Sequence, residues 1–115
     1  MSALLWLARV RHDLVKRLVW PARDRRDLGG TPAPGELVVA LLDDEGRPTT
    51  AAALWAALAA DAPPGLPLDE FTTALADAVA SAEAGDVPGV LALEPTFDTL
   101  AALARSLARP LEDAK

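Results

Sequence analysis

Two clusters of helix breakers, "GGTPAPG" at 29–35 and "APPGLP" at 62–67, limit what this chain can build. Proline removes a backbone donor and glycine adds backbone freedom, so neither cluster can sit inside a helix or a central strand. The chain is thereby cut into three stretches, 1–28, 36–61 and 68–115, and it must bury its apolar side chains by packing the elements of those stretches on one another. Between the breakers the sequence is rich in alanine, which favours helix and leaves little side-chain volume between neighbouring helices. These features predict an all-α or nearly all-α fold: a small multi-helix bundle that opens on an amphipathic helix.

The first helix is predicted over 3–20, where Leu4, Leu7, Leu14 and Leu18 recur at the helical period with Val10 and Val15 beside them. Pro21 marks its end or a kink. Residues 22–28 continue as a helical turn with Arg23 and Asp27 four apart, and Gly29-Gly30 stop it. Further helices are predicted at 49–60, with a Thr cap and Leu54, Trp55 and Leu58 on one side, and at 67–84, where Leu68, Phe71, Leu75, Ala78, Val79 and Ala82 share a face. Asp69 and Glu70 suit the first turn of that helix and Gly85 its end. A last helix is predicted at 95–108, opening on Pro95, with Phe97, Leu100, Leu103, Ala104 and Leu107 inward and Pro110 beyond it.

Two segments are ambiguous. "LVVALL" at 37–42 suits a short buried helix or a short strand, the helix being preferred, and "GVLALE" at 89–94 is the other candidate strand. Two isolated short strands would make a poor sheet. The organisation expected is a single domain: a basic amphipathic helix and turn at 1–30, a linker at 31–35, and an acidic, Ala-rich helical body at 36–115.

The net charge of −6 conceals an asymmetry. Residues 1–30 hold seven Lys/Arg and three acids, a balance of +4; the remainder holds four and fourteen, a balance of −10. A charge dipole of this kind serves an anionic partner, a neighbouring subunit, or docking of the basic segment on the chain's own acidic body. The absence of cysteine excludes disulfides, thiolate metal sites and cysteine nucleophiles. The longest uninterrupted apolar runs fall far below the ~20 residues of a spanning helix, so no transmembrane segment is expected. The start, "MSALLWLARVRHD", carries its charges after the apolar run, unlike a secretory leader, and a cytoplasmic location is expected.

Groups able to carry chemistry are few. "RHDLVKRL", with the chain's single histidine at His12 followed by an acid, resembles over a few residues the phosphoacceptor helix of two-component histidine kinases. That resemblance implies phosphotransfer through His12. The chain departs from the family pattern in the placement of Pro21 and in having no nucleotide-binding elements after it. "DDEG", Asp43 to Gly46, lacks the alternating acids and distant glutamate of a calcium loop, and no glycine run cradles a phosphate. With one histidine and neither cysteine nor tyrosine, the usual acid–base and nucleophilic constellations are missing. No enzyme activity, cofactor or metal is expected.

Recognition remains. At about 100° per residue, an unbroken helix over 3–20 sets Leu4, Leu7, Leu14 and Leu18 on one stripe and Trp6, Arg9, Asp13, Lys16 and Trp20 nearly opposite. Tryptophan and arginine are enriched at binding hot spots. The second stripe is therefore read as a partner surface made of Trp6, Arg9, Lys16, Trp20 and Arg23, and the chain as a non-catalytic protein–protein interaction module: an adaptor, accessory subunit or regulator. Its partner would be another protein or a second copy of the chain. The competing account places Trp6 at one end of the core and folds Trp20 over the Pro21 turn. Peripheral membrane contact is disfavoured because Arg11 projects from the apolar side and the second stripe mixes charge signs. Nucleic acid is disfavoured by the acidic body and by Asp13, Asp24 and Asp27 within the basic patch.

Overall fold

The computed structural model describes the backbone of residues 2–113 and the side chains of residues 2–107. The fold is a mostly α-helical bundle with one minimal hairpin. Helix α1 (Ala3–Val10) begins where the Ser2 hydroxyl accepts from the Leu5 N–H at 3.1 Å, satisfying one of the free donors of a helix start. It passes without a break through a π turn (Arg11–Val15) into α2 (Lys16–Leu28), and Gly29 at φ 79° ends it. Pro21 neither ends this helix nor separates a turn from it; the chain gives up the one bond that Pro21 cannot donate and stays helical to Leu28.

The linker is held in place by two backbone donors. The Ala33 N–H donates to the Glu36 carboxylate at 2.9 Å, and the Gly35 N–H to the Glu83 carbonyl at 2.8 Å, which pins residues 33–36 against the end of α4. Of the apolar run at 37–42, only Leu41–Leu42 is regular: it forms β1, antiparallel to β2 (Pro48–Thr49), with Leu41 opposite Thr49 and Leu42 opposite Pro48. The preferred helix at 37–42 is therefore absent; Leu37 and Leu41 are buried and Val38 and Leu42 exposed.

Helix α3 (Ala51–Ala60) starts on Thr50, whose hydroxyl accepts from the Ala53 N–H, and α4 (Leu68–Ala84) closes on Gly85 at φ 75°. The segment 89–94, a candidate strand from its apolar run, is helical. Asp86 caps the short α5 (Val87–Leu91), its carboxylate accepting from the Gly89 N–H at 3.1 Å, and Pro88 sits in the first turn where its missing donor costs nothing. Helix α6 (Leu93–Asp113) begins two residues earlier than expected and runs past 108. Its buried face is Leu93, Phe97, Leu100, Ala101 and Ala104; Leu103 and Leu107, expected inward, lie at the edge of that stripe and are 42% and 44% exposed.

The core is threaded by four aromatic side chains, one from each of α1, α3, α4 and α6. Trp6 lies 6.1 Å from Trp55, Trp55 4.5 Å from Phe71, and Phe71 6.3 Å from Phe97, ring centre to ring centre and all inclined rather than flat-stacked. Leucine, valine and alanine fill around them. A second, smaller cluster of Ala22, Leu37, Ala82 and Val90 seals α2, the linker, α4 and α5 together. By length and composition the stretch Val87–Leu107 could cross a membrane, which a count of uninterrupted runs overlooks. Within that stretch Leu93, Phe97, Leu100, Ala101 and Ala104 belong to the buried core, where Phe97 meets Phe71.

Candidate interaction surface

The π turn decides which side chains of the first helix reach solvent. At Lys16 the backbone N–H bonds the Arg11 carbonyl five residues back, so one extra residue is accommodated in the turn. Each extra residue sets the later part of a helix back by about 100° relative to an unbroken α-helix. The buried side chains follow that shift. Upstream they are Trp6, Leu7 and Val10; downstream they are Leu14, Val15, Leu18, Val19 and Ala22. Counting each downstream residue one position lower restores a regular three-and-four spacing, which is why one continuous seam faces the core.

Trp6 and Trp20 are accordingly separated. An unbroken helix would set them about 40° apart; with the extra residue they lie about 140° apart. Trp6 is fully buried and its indole N–H donates to the Leu58 carbonyl at 2.6 Å, whereas Trp20 is 52% exposed. The expectation that Trp6 shares an outward stripe with Trp20 is corrected on this ground: it assumed one uniform helical repeat across 11–15. Leu4, placed on the inward stripe by the same assumption, is exposed.

Of the remaining candidates, the structure gathers Lys16, Trp20 and Arg23. The Lys16 ammonium lies 5.1 Å from the centre of the Trp20 ring, within cation–π range. His12, Lys16, Arg17, Trp20 and Pro21 line an open hollow of about 320 Å³ on one side of the indole. On its other side Arg23 pairs with Glu94 of α6, beside Phe97 and Asp98. Arg9 lies elsewhere: it pairs with Asp44 at 3.3 Å and with Asp13 at 3.9 Å, tying α1 to the hairpin. Arg25 pairs with Glu36 at 3.4 Å. Much of the basic segment therefore docks on the chain's own acids. Among the described residues, Arg11, Lys16 and Arg17 are paired with no carboxylate.

His12 is exposed in the π turn and its neighbour Asp13 is directed to Arg9, and among the described residues no acid is paired with the imidazole. Asp43 organises the hairpin turn instead of a metal: one carboxylate oxygen accepts from the backbone N–H groups of Glu45 and Arg47, each at 2.9 Å, and the other from the Arg47 guanidinium at 3.1 Å. The Arg47 backbone N–H is the largest cause of the carboxyl being held below its ordinary value. Among the described residues no three His, Asp or Glu side chains converge on a common point.

One surface went unread in the sequence. Between α3 and α4 runs an apolar groove of about 600 Å³, with Trp55, Leu75 and Val79 along its floor, Ala52, Ala56 and Ala80 on its walls, and Glu83 at one end. No local sequence pattern signals it, because it depends on which helices become neighbours.

Fold and surface together define a small, mostly α-helical bundle with a basic first helix that presents one tryptophan to solvent. No family model matches the sequence, and no curated protein or solved structure matches it.

Proposed function

We propose that this chain is a non-catalytic docking module, an adaptor, accessory subunit or regulator acting in the cytoplasm, and that it binds protein through the Trp20 face of its first helix. The observation that carries this reading is the exposure of Trp20. The other two tryptophans are 0% and 4% exposed, while Trp20 is 52% exposed and framed by Lys16, Arg17 and Arg23. An indole offers a large rigid contact at small entropic cost, and cations around it add orientation and rate of encounter. The helix carrying it is fixed from behind by the core seam, so little ordering is required on binding.

The test is capture by tagged wild-type and Trp20→Ala protein side by side. A binding protein retained in stoichiometric amount by the wild type and lost by the variant is expected, with circular dichroism unchanged because Trp20 is 52% exposed. Identical capture by both proteins would remove Trp20 from the docking surface. A parallel incubation with labelled phosphodonors, in which His12→Ala abolished an acid-labile phosphoprotein, would favour phosphotransfer instead.

A further inference from the structure

We propose that the occupant of the α3–α4 groove is the Trp20 face of a second copy of this chain, so that copies associate head to tail; this rests on Trp20 being a docking surface. The two surfaces are complementary in size and in charge. On one side stands a bulky indole, half in solvent, next to Arg17 and Lys16, which no described carboxylate neutralises. On the other lies an apolar groove with alanine walls and a Trp55 floor, roomy enough for an indole and the proline beside it. Glu83 closes one end of that groove.

The one charged side chain lining the groove is the acid Glu83, whereas Lys16 and Arg17 line the hollow beside Trp20, and opposite charges favour this pairing over Trp20 against Trp20, which would bring two sets of Arg17 and Lys16 together. The two surfaces share no residue, so each copy can offer both at once. Such a contact is heterologous: it closes into a ring if the rotation allows and otherwise continues as a chain of copies.

Complementation tests it on the full chain by sedimentation velocity over a concentration series. Wild type is expected to exceed the 12.0 kDa monomer mass increasingly with concentration, and to return to it as salt is raised and the charges are screened. Trp20→Ala, which keeps the groove, and Ala80→Arg, which fills and recharges the groove but keeps Trp20, should each be monomeric. Mixed one to one they retain a single usable contact, and the mixture should reach twice the monomer mass and stop there. Both positions are exposed, and Ala56→Arg on the opposite wall repeats the test should Ala80→Arg lose its circular dichroism. A wild type that stays monomeric throughout overturns the proposal, as does a mixture that stays monomeric while wild type associates. A dimer abolished by Trp20→Ala but unaffected by Ala80→Arg would establish a symmetric Trp20 contact in its place. If wild type is monomeric and Trp20→Ala still loses a captured protein, self-docking fails while Trp20 remains a docking surface.

Discussion

The indole N–H of Trp6 donates to the main-chain carbonyl of Leu58 at 2.6 Å, a bond between residues 52 apart in sequence that fastens the first helix to the last turn of α3. Because Trp6 is fully buried and also touches Trp55, two contributions separate cleanly. Trp6→Phe keeps most of the apolar volume and loses the hydrogen bond, for a cost of about 1 kcal/mol. Trp6→Ala also opens a cavity and should cost about 3–5 kcal/mol. Thermal or urea unfolding measures both, and Trp20→Ala, as an exposed substitution, should fall within about 0.5 kcal/mol of wild type.

The π turn makes an unusual deletion tolerable. Removing the exposed His12 converts Arg11–Val15 to ordinary α-helix while leaving the seam from Trp6 to Ala22 in phase, so the variant should fold with near wild-type stability. Deleting Ala8, equally exposed but within regular α-helix, turns Trp6 and Leu7 about 100° away from the core seam and should abolish cooperative unfolding. Two deletions of one residue each, read by the same melting curve, thus distinguish helical phase from side-chain loss.

Where one repeat governs a whole element, the fold is legible in the sequence. Leu68, Phe71, Leu75, Ala78 and Ala82 hold the helical spacing up to Gly85, and α4 closes there. The place of Trp6 is not legible in the same way, because the repeat changes inside the first helix. The sign of that change was present in Val10, Leu14, Leu18 and Ala22, which step by four; at 3.6 residues per turn such a row drifts by about 40° each step. The segment 89–94 was misjudged from its apolar run, although Asp86 followed by Pro88 carries the capping signal of a helix start. The α3–α4 groove is a different matter. It depends on which helices become neighbours, and no local pattern specifies that.

Gly85 should resist substitution for two independent reasons. Its φ of 75° is unfavourable for any residue with a Cβ, and a Cβ built there would stand 2.8 Å from the Pro32 carbonyl oxygen of the linker. That neighbour is backbone and cannot swing aside, since Gly35 is bonded to Glu83 just beyond it. Gly85→Ala should therefore cost about 1–3 kcal/mol or more, the range of a strained position. The loss should be accompanied by faster amide exchange at Gly35, because relief of the contact means lifting the linker off α4. Gly46→Ala, with a similar φ but open space around it, is the control for the conformational part alone.

Asp43 gives the hairpin a pH dependence whose sign is fixed by its contacts. The backbone N–H of Arg47, then that of Glu45 and the Arg47 guanidinium, all favour the ionised carboxylate and hold its titration below the ordinary value of 3.8. A group whose pKa is lowered by folding contributes stability above its unfolded value, and that contribution disappears as the pH falls through the folded value. The hairpin should thus be unaffected from neutrality down to about pH 4 and loosen only below it. In a proton NMR titration the Glu45 and Arg47 amide resonances should move together with a midpoint under 3.8. Asp43→Asn, which keeps an acceptor oxygen but cannot ionise, should erase that joint transition; a midpoint above 3.8 in wild type would show that these donors do not favour the charged form.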